Sequence, residues 1–145
     1  MPDTFHAVCP ACLAVNRVEA GRVTKGPTCG KCHGALLEPR PVTLTAANFD
    51  AVIGKSGLPV LVDFWAPWCA PCRAMAPAFD QTAATLFGTV ILAKLDTQEE
   101  QDIADRLHIQ GVPTMVLFRG GREAARVSGA KSASDLAAWT RAHLG

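Results

Sequence analysis

The sequence has almost no net charge, no long apolar run and no cysteine outside three CxxC pairs. Its 14 basic and 13 acidic side chains give a net charge of +1 over 145 residues, which argues against electrostatic capture of nucleic acid or an anionic membrane. No stretch approaches the ~18 continuous apolar residues of a membrane span. The first six residues lack the basic segment and apolar core of a secretory signal, so we expect a cytoplasmic protein.

The six cysteines all stand in pairs with CxxC spacing. The pairs are Cys9 with Cys12, Cys29 with Cys32, and Cys69 with Cys72. No cysteine is therefore left for a long-range disulfide. In a reducing cytoplasm such pairs bind a metal or perform redox chemistry, and they rarely serve as structural disulfides.

The composition of the chain changes near residue 40. Residues 1–37 hold four of the six cysteines and little apolar mass. Residues 38–41 read Glu-Pro-Arg-Pro, and their two prolines stiffen the backbone as in a linker. Residues 42–145 alternate apolar runs with amphipathic stretches. We therefore predict a small module at 1–37, a linker at 38–41 and a larger domain at 42–145.

The N-terminal module is too small to bury a sizeable core. Domains below ~40 residues usually need a metal or disulfides for stability. Its two CxxC pairs are separated by 16 residues, a spacing typical of zinc sites. Four thiolates complete a tetrahedral structural site with no open position. The prediction is one zinc per chain, with iron or two disulfides as the alternatives.

The other side chains of this module do not indicate a second role. His6 and His33 are not needed as ligands, because four cysteines already complete the metal shell. Residues 1–41 carry a net charge of +2 before metal binding, from five basic and three acidic side chains, and four thiolates around Zn²⁺ cancel it. Phe5 is the only aromatic residue there, so the module offers little for stacking on nucleic acid.

Residues 42–145 have the pattern of an α/β domain in the order βαβαβαββα. Helical spacing predicts helices over 45–53, 70–86 and 100–107, and a last helix capped by Ser132 or Ser134 that buries Trp139. Apolar runs predict strands over 59–65, 90–96, 113–118 and 123–128, with a hairpin turn at 120–121. Such an order gives a mixed sheet with helices on both faces.

The third cysteine pair follows the strand at 59–65 and opens the helix after it. The free N–H groups and positive dipole of a helix N-terminus favour a thiolate. Cysteines at i and i+3 also lie close enough to form a disulfide. This placement indicates a redox-active dithiol; a buried structural pair or half of a metal site is the alternative. Cys69 is nearer the helix tip, so we expect it to be the exposed nucleophile and Cys72 the resolving thiol.

Asp63 is a candidate general base for Cys72. It lies among apolar residues of the strand before the cysteines, where burial raises the pKa of a carboxylate towards neutrality. Lys94 is a candidate counter-charge. The alternatives are a solvated, idle aspartate at a strand end and a solvated lysine.

Several landmarks in the same order carry a resemblance to the thioredoxin family. Residues 65–73, Trp-Ala-Pro-Trp-Cys-Ala-Pro-Cys-Arg, resemble its active-site signature. The family's kink proline, buried lysine, cis-proline loop and late glycine correspond to Pro77, Lys94, Gly111–Thr114 and Gly129. The resemblance covers residues 42–145, and the four-cysteine extension looks like the zinc ribbon of bacterial thioredoxin 2. Ala70 and Arg73 depart from the usual glycine and lysine. Ala70 lies between the two cysteines, where the dipeptide influences the redox potential, so the resemblance implies the fold more directly than the potential.

The resemblance implies a thioredoxin fold, preceded by a zinc ribbon, in a monomeric protein-disulfide reductase. The partners it implies are disulfide-containing proteins and a flavoprotein reductase that uses NADPH. Trp65 and Trp68 would form an apolar rim, while Val112 beside Pro113 would pair its backbone with an extended client strand. An oxidase or isomerase, or a zinc-dependent holdase for unfolded clients, remains the alternative.

Overall fold

The computed structural model describes residues 3–144, which form a small N-terminal unit and a larger α/β unit. The N-terminal unit, here called the ribbon, contains β1 (Thr4–Val8), β2 (Val15–Glu19) and a 3₁₀ helix (Ala20–Lys25). The larger unit contains β3 (Val42–Leu44), α1 (Phe49–Lys55), β4 (Val60–Trp65), α2 (Ala70–Thr85), β5 (Ile91–Asp96), α3 (Gln101–Arg106), β6 (Thr114–Arg119), β7 (Arg122–Ser128) and α4 (Ala133–Ala142). Within 3–144 no helix is long and apolar enough to cross a lipid bilayer.

The larger unit is built on one five-stranded mixed sheet with strand order β3-β5-β4-β6-β7. Strands β3, β5 and β4 are parallel, whereas β6 and β7 are antiparallel to their neighbours. The predicted order βαβαβαββα and the mixed sheet are confirmed, although the apolar runs did not locate the first strand, β3. Strand β4 is central and ends at Trp65, so it delivers the cysteine pair to the carboxyl end of the sheet.

Two apolar clusters cover the two faces of the sheet. Side chains alternate along β4 because the period of a strand is two. Val62 and Phe64 pack with α1 and α3 on one face, whereas Leu61 packs with α2 and α4 on the other. Trp139 of α4 is partly buried against this second cluster. Asp63 has the same parity as Leu61 and therefore points to the face that α2 covers.

The predicted start of the first helix of this unit was wrong. Helix α1 begins at Phe49, four residues after Thr45. The side-chain oxygen of Asn48 accepts a hydrogen bond from the Thr45 backbone N–H (2.8 Å), and the Thr45 hydroxyl accepts one from Ala47 N–H (3.2 Å). These local bonds hold residues 45–48 in a turn, which competes with a helical start.

The ribbon packs directly against the larger unit. Val8 of β1 is buried in the cluster formed by α1 and the central strands. The Gly57 backbone N–H donates a hydrogen bond to the His6 carbonyl (2.8 Å). A Cβ at residue 57 would lie 2.9 Å from His6 N and 3.0 Å from Phe5 Cβ. Gly57 therefore permits a backbone contact that a larger residue would obstruct.

Candidate active site and metal centre

Cys69 and Cys72 form a disulfide at the N-terminus of α2. Cys69 is the N-cap residue of that helix, and Pro71 occupies its first turn, where a missing N–H removes no helical bond. The two Cα atoms are 5.3 Å apart. The Cys72 backbone N–H points at Cys69 Sγ, 3.2 Å away. This N–H and the helix dipole are placed to stabilise negative charge on Cys69 when the disulfide is reduced.

The prediction of an exposed Cys69 was wrong for this disulfide form. The residue is only 4% exposed. Its sulfur lies 3.7 Å from the Val112 carbonyl oxygen, and the disulfide packs in a small cluster with Ala66, Trp65 and Val112. Val112 is 43 residues further along the chain, so the sequence around the cysteines contains no signal for this cover.

Asp63 is buried, with 1% of its surface exposed. Within residues 3–144 its Oδ1 atom has no hydrogen-bond partner. Burial raises the pKa of the Asp63 carboxyl to about 7, against the opposing effect of the positive charge on Lys94. A carboxyl group with this pKa can both accept and release a proton near neutral pH.

Lys94 lies beside Asp63 and beneath a tryptophan ring. The two residues are register partners on β4 and β5. The ammonium nitrogen of Lys94 is 5.0 Å from the centroid of the Trp65 ring, a cation–π distance. The structure therefore brings Asp63, Lys94 and Trp65 together, and Trp65 also packs against the disulfide.

The surface around the disulfide has an apolar rim and a backbone edge. Trp68 is 69% exposed, whereas Trp65 is half-buried. The peptide bond between Val112 and Pro113 is cis. Within residues 3–144 no hydrogen bond uses the backbone N–H of Val112. All four predicted substrate-binding residues thus lie at or near the end of the sheet that carries the disulfide.

The hydrogen bonds of two side chains near these sites, Arg73 and Asn16, were missed by sequence analysis. The guanidinium of Arg73 donates a hydrogen bond to the Pro67 carbonyl (2.6 Å) and so ties the loop before Cys69 to α2. In the ribbon, the Asn16 side chain donates to the Ala14 carbonyl (3.1 Å) and accepts from Gly30 N–H (2.9 Å). Only the positive charge of Arg73 was a usable signal, since its partner carbonyl is set by the loop conformation.

The four ribbon cysteines converge on a single point. Their sulfur atoms all lie within 4.8 Å of one another. Cys9 Sγ is 3.5 Å from Cys32 Sγ, and Cys12 Sγ is 3.5 Å from Cys29 Sγ. In a tetrahedral zinc site with bonds of about 2.3 Å, neighbouring sulfurs are about 3.8 Å apart. The donor set and its spacing therefore fit a tetrahedral metal ion, and neither His6 nor His33 belongs to the cluster.

The two CxxC turns of the ribbon have matching backbone geometry. In the first, Leu13 N–H donates to the Cys9 carbonyl (2.8 Å); in the second, His33 N–H donates to the Cys29 carbonyl (2.9 Å). Leu13 and His33 both have left-handed conformations, with φ of 67° and 66°. For residues with a Cβ this conformation costs roughly 1–2 kcal/mol, which closing the four-sulfur cluster must offset.

Backbone amides near the sulfurs favour thiolates. The N–H groups of Cys32 and Lys31 lower the pKa of the Cys29 thiol to about 6. For Cys9, burial raises the pKa, but hydrogen bonds from the backbone of Cys12 and Ala11 outweigh it, and the net shift is downward. Since metal ions bind the thiolate form, the lowered pKa values of Cys9 and Cys29 favour metal binding by these two cysteines.

Comparison with known proteins places both units. The Thioredoxin family model matches residues 40–142. The chain belongs to the thioredoxin family. A second model, Thioredoxin 2 N-terminal, a zinc ribbon, matches residues 8–34. The chain is therefore a thiol-disulfide oxidoreductase whose thioredoxin domain follows a predicted metal-binding ribbon.

Three relatives are similar to this chain, two of them over most of their own length. Thioredoxin C-3 of Corynebacterium nephridii is 42% identical over 132 residues, which cover 91% of this chain and 90% of that protein. Thioredoxin of Pseudomonas aeruginosa is 40% identical over 103 residues, or 71% of this chain and 95% of that protein. A bifunctional thioredoxin reductase/thioredoxin of Mycobacterium leprae is 39% identical over 95 residues, 66% of this chain and 21% of that protein.

Proposed function

We propose that this thioredoxin is a cytoplasmic protein-disulfide reductase that works through Cys69 and Cys72. The observation that carries the proposal is the disulfide at the start of α2, which follows the strand that holds the buried Asp63 carboxyl, whose pKa is about 7. Once reduced, the cysteine pair supplies two electrons to a client disulfide, and the Asp63 carboxylate accepts the proton that Cys72 loses. The division into residues 1–37, 38–41 and 42–145 is proposed with it.

Cys69 performs the first step. As a thiolate it attacks one sulfur of a client disulfide, forms a mixed disulfide with it and releases the other client sulfur as a thiolate. The Cys72 backbone N–H, 3.2 Å from Cys69 Sγ, supports the thiolate before attack. Cys69 is buried in the disulfide form and its sulfur lies 3.7 Å from the Val112 carbonyl oxygen, so we expect a client to approach this sulfur past Val112.

Cys72 performs the second step with help from Asp63. The Cys72 thiol loses its proton to the Asp63 carboxylate and attacks Cys69 Sγ, which releases the second client thiolate. The client gains two electrons and the Cys69–Cys72 disulfide forms again. Lys94 would limit how far burial raises the pKa of Asp63, so that the carboxyl is ionised in part of the molecules at neutral pH.

Client binding is proposed to use the apolar rim and the edge beside the disulfide. Trp68 offers a largely exposed ring, and Trp65 packs against the disulfide. The free backbone N–H of Val112, next to Pro113, would pair with an extended client segment by strand addition. Backbone pairing of this kind recognises the extended form of a client with little dependence on its sequence.

A flavoprotein reductase that uses NADPH is the proposed source of electrons. The Mycobacterium leprae relative carries thioredoxin reductase and thioredoxin in one chain, which supports a reductase as the partner of a domain of this type. The cytoplasm is proposed as the compartment because a reductase of disulfides needs a reducing pool to draw on.

Zinc is the proposed metal of the ribbon, bound by Cys9, Cys12, Cys29 and Cys32. Four thiolates at tetrahedral spacing are typical of structural zinc. When bound, zinc would supply folding free energy to the ribbon and would have no open position for catalysis. Elemental analysis of the purified chain tests this: one zinc per chain supports it, and iron or a metal-free form with two disulfides contradicts it.

Reduction of a disulfide-bonded protein by NADPH and thioredoxin reductase tests the proposed activity. We expect catalytic oxidation of NADPH that depends on this chain and is abolished in Cys69→Ser. Faster disulfide formation or shuffling than reduction in a glutathione buffer would favour the oxidase or isomerase. Protection of an unfolded client that survives in Cys69→Ser, without reduction, would favour the holdase.

A further inference from the structure

Arg126 of β7 makes four hydrogen bonds to three other residues. Its Nε and Nη2 atoms donate to the two carboxylate oxygens of Glu123, at 2.8 and 2.7 Å. The same Nη2 donates to the Leu107 carbonyl at 2.8 Å, and Nη1 donates to the His108 carbonyl at 3.2 Å. One guanidinium therefore ties β7 to the end of α3, 18 and 19 residues earlier in the chain.

A β-bulge brings Glu123 and Arg126 onto one face of β7. Residues three apart in a regular strand point to opposite faces. Here Leu117 pairs with Ala125 and Phe118 pairs with Glu123, so Ala124 is an extra residue on β7. The extra residue reverses the alternation, and bulges of this kind re-aim side chains. Glu123 then holds the guanidinium from its own strand; the hydrogen bonds from Arg126 lower the pKa of Glu123 and keep it ionised.

The two carbonyls that Arg126 binds belong to the C-terminal cap of α3. His108 N–H donates to the Asp105 carbonyl (3.1 Å) and Ile109 N–H donates to the Ala104 carbonyl (2.9 Å), the pattern of a Schellman motif. His108 has a left-handed conformation with φ of 57°, a position where glycine is usual. Arg126 satisfies the carbonyls of Leu107 and His108, which the helix itself leaves unpaired.

This cap leads directly into the loop that covers the disulfide. Val112 follows His108 by four residues, and its carbonyl oxygen is 3.7 Å from Cys69 Sγ. The far side of the loop is held separately: the Thr114 hydroxyl donates to the Gly111 carbonyl and lies 3.0 Å from Ser128 Oγ. Gly129 N–H also donates to the Pro113 carbonyl at 2.9 Å. The near side, at 107–108, is tied to β7 by Arg126.

We propose that Arg126, held by Glu123, is a positioning residue for client binding, because it fixes the near end of the 109–113 loop and thereby sets where Val112 meets a client. This inference rests on the proposed function, in which the Val112 backbone pairs with the client. None of the hydrogen bonds of Arg126 involves Cys69 or Cys72. Its effect acts through the loop, so it concerns protein clients and spares the chemistry at Cys69.

A planar guanidinium suits this role better than an ammonium. Arginine presents five donors in a rigid fork and binds a carboxylate and further acceptors at once. A lysine at 126 can satisfy one or two of these acceptors and leaves the geometry of the others unfixed. Arg122 provides a matched control, since it lies on the same strand, is exposed, and makes no side-chain hydrogen bond or ion pair within residues 3–144.

The test compares Arg126→Met and Arg126→Lys with wild type and Arg122→Met. We expect KM for a disulfide-bonded protein client to rise about tenfold in Arg126→Met, the effect of losing roughly 1.4 kcal/mol of binding, with partial recovery in Arg126→Lys. The rate with a small aromatic disulfide, which has no peptide backbone, should change less than twofold. Arg122→Met should match wild type in both assays.

Hydrogen exchange gives a readout that does not depend on activity. In Arg126→Met we expect faster exchange at amides of 108–112, with unchanged protection in β4 and α2. An unchanged KM together with unchanged exchange overturns the proposal, as does equal slowing with protein and small disulfides. Failure of wild type to reduce any protein client would instead refute the proposed function, and the exchange result would still decide whether Arg126 fixes the loop. Glu123→Gln, a milder change, should show the same pattern with smaller amplitude if Arg126→Met folds poorly.

Discussion

Asp63 and Lys94 are register partners on the parallel strands β4 and β5, so a buried carboxyl group and a cation share one face of the sheet. Burial raises the pKa of Asp63 and Lys94 opposes that rise, with a net value of about 7. The pair therefore sets the pH at which the carboxyl gives up its proton.

For Asp63→Asn we expect a gain in stability that grows with pH. The folded pKa lies above the unfolded value of 3.8, so between these values the native state binds more protons than the unfolded state. Stability therefore falls as pH rises from about 4 to 7, by about 4 kcal/mol in all. Asparagine lacks this titration. Melting temperatures of the two proteins should be closest at pH 4 and differ most at pH 8.

The same substitution should slow the second half of the reaction. Asparagine cannot accept the Cys72 proton, so resolution of the mixed disulfide should slow about tenfold or more at pH 7, while the first attack by Cys69 is largely retained. Stopped-flow measurement of both steps checks this. Identical resolution rates in the two proteins would remove Asp63 from the mechanism.

Single serine substitutions should separate the two cysteines. We expect Cys72→Ser to accumulate mixed disulfides with protein clients, because Cys69 attacks and nothing resolves the product. Cys69→Ser should capture none and turn over no client. Mass spectrometry of clients retained after alkylation measures this, and capture by Cys69→Ser alone would reverse the two roles.

Removal of residues 1–41 should leave a folded and active reductase that binds no zinc. The thioredoxin domain keeps the disulfide, Asp63, the Val112 loop and nearly all of the two large apolar clusters. It loses the burial of Val8, worth about 2 kcal/mol, so its melting temperature should drop. Activity, zinc content and thermal unfolding of the shortened chain check the three parts. Zinc retained after truncation would mean that Cys69 and Cys72 bind it.

Gly57→Ala should weaken the contact between the ribbon and the thioredoxin domain. Its Cβ would lie 2.9 Å from the His6 backbone nitrogen, so the 2.8 Å bond from Gly57 to His6 must lengthen or break. We expect faster proteolysis of the ribbon with disulfide reduction unchanged. Gly54→Ala is the control: its Cβ has no atom within 4 Å, and alanine is favoured in a helix by roughly 0.5–1 kcal/mol. Equal protease sensitivity of the two variants would contradict the role of Gly57.

The sequence was sufficient to predict features that depend on local order. CxxC spacing, apolar runs and helix-start chemistry located the strand before Cys69, the helix after it and the cysteines of the ribbon. Contacts between residues far apart in the sequence could not be predicted. Cys69 packs against Val112, which is 43 residues away in the sequence. Gly57 bonds to His6 only because β1 of the ribbon lies against the thioredoxin domain.

Two further features could not be predicted from the sequence for the same reason. They are the hydrogen bonds of Arg126 to Glu123, Leu107 and His108, here called the Arg126 clamp, and the start of α1. Arg126 meets Leu107 and His108 on the face of β7 that it shares with Glu123, because Ala124 forms a bulge between them. Nothing in the sequence of residues 122–126 indicates this bulge. At the start of α1, both Thr45 and Asn48 are good caps, and the turn between them decides which one begins the helix.

The order β3-β5-β4-β6-β7 leaves two strands whose outer edges are open to association with another sheet. Strand β3 is three residues long and follows Pro41, which has no N–H to offer. Strand β7 has a bulge and carries Arg122, Glu123 and Arg126. Short length, proline, bulges and charge are the means by which edge strands avoid pairing with other copies. The Arg126 clamp, which positions the 109–113 loop, therefore also protects the β7 edge from pairing with another copy. Its loss should make the protein more prone to aggregate at high concentration.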